Sequence, residues 1–296
     1  MAISGLLPPI ATPFDAHGAL DGAALKSNVE RWSTTGLSGY VVGGSNGESV
    51  MLDAPELEEA VRIVRRAAPS DQLVVAGTGQ QSTNATIRLT QAAADAGADF
   101  ALIMNPSFFA GQLGDDALVR HYSTIADASP IPVLVYNVPK FTHANIPVQV
   151  VAKLSAHDNI VGIKDSAGDI GQIIDLLRLC GPSFDVLIGS APAFLAGVEA
   201  GAVGGILALA NVAPAECVII WRLAVEGRHE EARRIHSALM PIGRAITTSF
   251  GIAGLKAALD LLGYQGGPPR APILPATDDA RRTIRMLLQE ASLLSS

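Results

Sequence analysis

Eight short apolar runs, separated by segments of helical spacing, occupy the first three quarters of the chain and constrain its fold more than any other feature. They are Leu6–Thr12, Gly39–Gly44, Leu73–Gly77, Phe100–Asn105, Val133–Asn137, Ile160–Lys164, Val186–Gly189 and Gly204–Ala208. The runs are near-continuous rather than alternating, as expected of parallel strands covered on both faces. Between them lie amphipathic stretches such as Pro55–Ala67, Thr83–Ala96, Asp115–Ala126 and Asp169–Leu179. Asp53, Ser82 or Thr83, Asp115 and Asp169 stand where N-caps belong. Eight strands, each followed by a helix, give the count of an α/β protein closed into a (β/α)8 TIM barrel. A doubly wound open sheet is the competitor, and the eighth strand in an unbroken alternation weighs against it.

Beyond residue 211 the pattern is helical throughout: Pro214–Val225, His229–Leu239, Pro241–Ser249, Ile252–Leu262 and Thr277–Ala291. The first of these completes the barrel. The expected organisation is a barrel catalytic domain over residues 1–226 and an appended C-terminal helical region over 227–296. Gly266-Gly267-Pro268-Pro269 sets the last helix apart from the others.

The composition narrows the function. The chain is 49% hydrophobic but only 5% aromatic, an aliphatic core suited to layered α/β packing. A net charge of −7 argues against nucleic acid or an anionic membrane as partner. It also means that any anionic substrate must be held by local donors. The uncharged stretch Ala200–Ala215 is too short to span a bilayer and is broken by Gly204, Gly205 and Pro214. Met1 to Pro9 lacks the basic-then-apolar pattern of a signal peptide, and Cys180 and Cys217 read as buried thiols. The expectation is a soluble cytoplasmic protein. The six histidines show no metal-ligand spacing, and Gly77-Thr78-Gly79 lacks the lysine of a phosphate loop. No metal or organic cofactor is expected.

Lys164 is the most informative single residue. The chain has five lysines against sixteen arginines, and this one closes a buried strand, Ile160–Lys164. Apolar surroundings disfavour an ammonium ion, so an enclosed amine is available as a nucleophile toward a carbonyl. A snorkelling lysine, or one paired with the adjacent Asp165, is the plain alternative. In a barrel the C-terminal strand ends face the active-site mouth. Tyr136 ends strand five, Ser45 and Asn46 follow strand two, Gly189 ends strand seven and Ile206 lies in strand eight. A 2-oxo acid needs an amine for its ketone, donors for its carboxylate and a proton relay. Lys164 supplies the first. The Ser45 hydroxyl and the amides of the Ser45–Asn46 turn supply the second, and the Tyr136 phenol the third. Taken singly, Tyr136 could be a core tyrosine and Ser45–Asn46 ordinary turn residues.

Gly43-Gly44-Ser45-Asn46-Gly47 also fits the G-x-S-x-G pattern of a serine hydrolase, with Asp185 and His229 available in the required order. The elbow would come after only two strands, and the next helix starts too late, near Pro55. The Schiff-base reading explains more of the residues.

These motifs resemble those of the dihydrodipicolinate synthase/N-acetylneuraminate lyase family of class I aldolases. The resemblance runs through Thr12-Pro13-Phe14, Gly44-Ser45-Asn46-Gly47-Glu48-Ser49, Ala76-Gly77-Thr78-Gly79, Tyr136-Asn137-Val138-Pro139, Gly162-Ile163-Lys164-Asp165-Ser166 and Gly201-Ala202-Val203-Gly204-Gly205. It implies an imine between Lys164 and a 2-oxo acid, usually pyruvate, with Tyr136 as proton relay and the Ser45–Asn46 loop on the carboxylate. It further implies a homotetramer built as a dimer of dimers. Within the family the chain is most similar to 4-hydroxy-2-oxoglutarate aldolases, through Gly189-Ser190-Ala191, Gly204 to Asn211, Phe250 to Lys256 and Gly263 to Pro272. Two departures stand out. Pro106-Ser107-Phe108-Phe109 replaces the family's usual tyrosine pair, and Phe141 replaces the arginine that dihydrodipicolinate synthases carry after strand five. These set the chain apart from true dihydrodipicolinate synthases and leave Lys140 as a candidate distal anion partner. A dehydratase or synthase of the same family, or a catalytically silent ligand-binding homologue, is the alternative.

Overall fold

The computed structural model of the protein describes residues 3–295. Its eight strands are β1 (Gly5–Leu7), β2 (Gly39–Val42), β3 (Leu73–Gly77), β4 (Phe100–Met104), β5 (Val133–Asn137), β6 (Ile160–Asp165), β7 (Asp185–Ile188) and β8 (Gly204–Ile206). All pairs are parallel, in the cyclic order β1-β8-β7-β6-β5-β4-β3-β2. The seam between β1 and β2 is closed just past the strand end. There the Val41 amide donates to Pro8 O and the Ile10 amide to Val41 O. Prolines 8 and 9 have no N–H to offer, which is why the first strand is shorter than the apolar run Leu6–Thr12.

Helices α1 (Gly22–Trp32), α2 (Ala54–Ala67), α3 (Thr83–Asp95), α4 (Asp115–Ala128), α5 (Pro139–Thr142), α6 (Val148–Leu154), α7 (Ile170–Leu179), α8 (Ala191–Glu199) and α9 (Pro214–Val225) follow the strands. Asp53 and Glu56 cap α2 reciprocally, each side chain accepting from the other's amide at 2.9 and 3.0 Å. Ser82 and Asp169 cap α3 and α7 as expected. Asp115 does not cap α4. Gly114 takes that position, and Asp115 lies in the first turn, where a carboxylate still complements the helix dipole.

Strand parity divides the core into two parts. Leu7, Val41, Val75, Leu102, Leu134, Tyr136, Leu187 and Ile206 fill the barrel, while their strand neighbours pack outward against the helices. On β6 the register shifts: Val133 pairs with Ile160 but Leu134 pairs with Gly162, leaving Val161 as an extra residue. That one-residue step sets Lys164, rather than Ile163, level with Tyr136 and turns it into the barrel.

The C-terminal helices are α10 (His229–Arg244), α11 (Gly251–Leu261) and α12 (Asp278–Glu290). The sequence suggests a break at Pro241, yet α10 runs through it and passes into a π-helical turn over Ala245–Ser249. Buried Leu239, Ile242, Ala245 and Ile246 hold this segment in place, so packing outweighs the amide that proline lacks. Phe250 N closes the wide turn on Ala245 O at 2.9 Å. The segment lies over the barrel mouth. Cys180 and Cys217 are free and buried. Among the described residues, no helix is long and apolar enough to cross a membrane.

Candidate active site

A cavity of about 500 Å³ opens at the C-terminal ends of the strands and collects every site residue expected from the sequence. Lys164, Tyr136, Ser45, Asn46, Gly189 and Ile206 all line it. Its volume suits a small organic substrate.

Lys164 is 3% exposed, and Tyr136 is its direct cross-strand partner. Lys164 Nζ sits 4.0 Å from the centroid of the Tyr136 ring. The Tyr136 hydroxyl in turn lies 3.2 Å from Ser45 Oγ. Amine, phenol and serine hydroxyl thus form one contiguous polar line at the cavity floor.

The pairing of Lys164 with Asp165 is not what the fold provides. Adjacent strand residues point to opposite faces, and Asp165 faces outward. Its carboxylate accepts from Asn137 Nδ2 and Gln172 Nε2, both at 2.7 Å, and from the Ala167 amide at 2.9 Å. Burial raises its pKa, with these hydrogen bonds opposing the shift. Among the described residues Lys164 therefore has no carboxylate partner.

Gly189 is required by the amine's neighbourhood. A Cβ there would stand 1.9 Å from Ser166 Oγ and 3.0 Å from Lys164 Cε. Ser166 Oγ is itself buried without a hydrogen-bond partner and lines the same cavity. Ile206 is fully buried and supplies apolar wall from β8.

Ser45 and Asn46 open a short 3-10 turn, Ser45–Gly47, which ends on Glu48 in the left-handed region at φ 57° and ψ 37°. A glutamate in that conformation is strained and must be held by its surroundings. Glu48 Oε1 is 2.6 Å from Lys256 Nζ, Oε2 accepts from the Arg270 amide at 2.8 Å, and Thr12 Oγ1 donates to Gly47 O at 2.7 Å. Arg270 continues the network in a bidentate pair with Glu56, at 2.6 and 2.7 Å. Phe14 lies between the two cations, 4.4 Å from Lys256 Nζ and 4.1 Å from Arg270 Cζ. Helix α11 and the segment between it and α12 therefore pin the loop that carries Ser45.

This turn does not make a hydrolase elbow. Asp185 accepts from the Ile3 amide, at the start of β7 and so at the opposite end of the barrel, and His229 pairs with Glu199 at 3.0 Å. Neither lines the cavity with Ser45.

Phe141 is 54% exposed and lines the mouth of the cavity. Phe108 and Phe109 lie outside this chain's cavity, on the β4–α4 loop. Lys140 lines the mouth but donates to Thr247 O at 2.9 Å, tying α5 to the π-turn. Sequence reasoning missed Ser166, Met240, Arg244, Thr247 and Thr248 as cavity residues. Ser166 was within reach, two positions beyond Lys164 and so on the same strand face. The others come from helices whose docking over the mouth has no local signal. Among the described residues no cluster of histidine, cysteine or carboxylate side chains could hold a metal ion.

Comparison with known proteins agrees with this geometry. The model of the Dihydrodipicolinate synthetase family matches residues 2–291. The 4-hydroxy-tetrahydrodipicolinate synthase of Methanothrix thermoacetophila is 38% identical over 292 residues, covering 98% of each chain. The crystal structure of dihydrodipicolinate synthase from Aquifex aeolicus superposes with a TM-score of 0.94 at 30% identity, over 99% of this chain and 100% of that one. The chloride-inhibited dihydrodipicolinate synthase from Acinetobacter baumannii, complexed with pyruvate, gives a TM-score of 0.95 at 28% identity, over 99% and 100%.

Proposed function

Because the chain belongs to the dihydrodipicolinate synthetase family, we propose that it is a Schiff-base-forming class I aldolase. In this reading it is a carbon–carbon lyase acting on a 2-oxo acid, with pyruvate as one partner. The observation that carries it is the line from Lys164 through Tyr136 to Ser45 on the floor of one cavity.

The chemistry follows from those positions. The Lys164 amine adds to the ketone carbon, and loss of the resulting hydroxyl as water leaves an iminium ion. In the cleavage direction the bond between C3 and C4 breaks, and its electron pair flows to the iminium nitrogen to form an enamine. The proton of the C4 hydroxyl leaves as the aldehyde forms. Protonation of the enamine at C3 and addition of water then release pyruvate and the free amine. The relay proposed for these protons is the Tyr136 phenol, and its 3.2 Å contact with Ser45 Oγ supports that role. Ser45 and the Ser45–Asn46 amides hold the carboxylate, Gly189 leaves room beside the amine, and Ile206 walls the site. The reaction draws on no metal or organic cofactor.

The 2-oxo acid we propose is 4-hydroxy-2-oxoglutarate. Phe141 in place of an arginine, and the absence of a hydroxyl on Phe108 and Phe109, support this over a dihydrodipicolinate synthase. The name of the Methanothrix relative favours a second reading, a synthase that uses the same imine but joins pyruvate to a different aldehyde. The barrel (1–226) would then supply the imine chemistry and the helical region (227–296) the contacts to the second reactant. Cytoplasmic location and assembly as a dimer of dimers belong to the same proposal.

Borohydride reduction in the presence of pyruvate, read by intact mass, tests the imine. One adduct is expected on the wild type and none on Lys164→Ala. An adduct that persists in the variant would place the reactive amine elsewhere. Turnover of 4-hydroxy-2-oxoglutarate then separates the aldolase from the synthase, and trapping without turnover of either identifies a silent homologue.

A further inference from the structure

The cavity carries a charge pattern that the imine does not use. Its lining contains three basic side chains, Lys164, Lys140 and Arg244, and no aspartate or glutamate, in a chain of net charge −7. A concave site of one sign in a protein of the other concentrates oppositely charged ligands. Two of the three already have roles. Lys164 lies at the floor beside Tyr136, and Lys140 is bonded to Thr247 O at 2.9 Å with its ammonium 5.5 Å from the Phe141 ring centroid.

Arg244 is the remaining one. It is the last residue of α10, exposed, and joined to no carboxylate or carbonyl among the described residues. A cation at a helix C-terminus favours the helix dipole, and on an outer helix face that would account for it. Here the helix end opens on the cavity, and the π-helical turn Ala245–Ser249 that follows puts Thr247 and Thr248 on the same rim. Thr247 Oγ1 is committed to Gly243 O, which leaves the guanidinium as the charged donor facing the mouth.

We infer that Arg244 binds a second carboxylate of the reactant, at the end remote from the 2-oxo group, so that the enzyme takes dicarboxylic 2-oxo acids. This rests on the imine reading above and assigns the residue that would recognise the second carboxylate of the 2-oxo acid proposed there. A guanidinium presents paired N–H donors that match a carboxylate. Phe141, which lines the same mouth, offers no such donor. A cavity of about 500 Å³ that both Lys164 and Arg244 line has room for a five-carbon dicarboxylate.

The test compares borohydride trapping of 2-oxoglutarate with that of 2-oxopentanoate, the same five-carbon chain without the second carboxylate. Neither requires turnover, and pyruvate is trapped in parallel. The wild type is expected to reach half-maximal adduct with 2-oxoglutarate at a concentration roughly tenfold or more below that for 2-oxopentanoate, the worth of a charge-assisted hydrogen bond. Arg244→Met should bring the two together by raising the 2-oxoglutarate value, with pyruvate and 2-oxopentanoate trapping unchanged. Arg244→Lys should restore part of the preference. Equal trapping of the two acids by the wild type would overturn the inference while leaving the imine reading intact, provided pyruvate is still trapped. So would a preference that survives Arg244→Met but disappears in Lys140→Met. Absence of any pyruvate adduct on the wild type would instead remove the imine reading itself, and this inference with it.

Discussion

Glu48 and Lys256 meet 2.6 Å apart, each with a side chain 1% exposed, and join the loop that carries Ser45 to the C-terminal helix α11. Burial lowers the Lys256 pKa, and the Glu48 carboxylate opposes that shift. The ammonium also donates to Pro268 O at 2.8 Å. Removing one member of such a pair strands a buried charge, which costs about 3–5 kcal/mol. Lys256→Met is therefore expected to lose that much stability in urea unfolding. The double variant Glu48→Gln/Lys256→Met should recover a substantial part, because no lone charge remains. A double variant as unstable as Lys256→Met alone would show that the pair is not the source of the loss.

Tyr136→Phe separates the phenol from the ring. The ring packs in the barrel interior and faces the Lys164 amine, and both contacts survive the substitution. Only the hydroxyl bonded to Ser45 is lost. Pyruvate trapping should persist while kcat falls by roughly 10²–10⁴-fold, the usual contribution of a general acid–base group. An unchanged kcat would show that another group carries the protons.

The strands and the candidate lysine, Lys164, were legible because a buried parallel strand must be apolar along its length, which makes a terminal lysine conspicuous. β3 and β5 coincide with their apolar runs, and β6 ends one residue past Lys164. Tyr136, Ser45, Asn46, Gly189 and Ile206 followed from one rule, that strand ends face the mouth. Arg244 did not follow from any rule of local sequence. It belongs to a helix whose docking depends on Leu239, Ile242 and Ile246 packing as a unit, and the proline at 241 suggested a break there instead. The Val161 register step and the Glu48–Lys256 pair were likewise hidden. The first is a choice between two pairings of similar sequence, and the second links residues 208 positions apart.

His121 makes the fold sensitive to acid. It is buried on α4, its Nδ1 lies 2.9 Å from Thr83 Oγ1, and its Nε2 has no partner. Desolvation lowers its pKa from 6.5 to about 4. The folded protein thus keeps it neutral between those values while the unfolded chain binds a proton, so stability falls as pH drops from about 6.5 toward 4. The loss from this group approaches the order of 3 kcal/mol at the acid end. Thermal unfolding followed from pH 7 to 4.5 should show a steeper decline for the wild type than for His121→Leu. Parallel curves would mean that other groups set the acid response.

Phe108 and Phe109 form the most exposed aromatic pair on the chain, at 81% and 62%. Their rings meet edge to face with centroids 4.9 Å apart. The loop beneath them is fixed, because the Ser107 and Phe108 amides both donate to Gln81 Oε1 at 3.0 Å. A rigid apolar pair held in water gains about 2 kcal/mol or more per ring when covered, which favours an interface. We expect that interface to be isologous, with the loop crossing a two-fold axis toward Tyr136 of the partner subunit and two such dimers forming a tetramer. A two-fold contact sets the loop against its own copy, so a charge introduced there is opposed by its twin. Phe108→Asp should shift the protein to smaller species in sedimentation velocity and lower its activity in parallel. Because residue 108 is exposed within the subunit, the variant should keep the wild-type circular dichroism. A wild type that sediments as a fully active monomer at micromolar concentration would rule out this assembly.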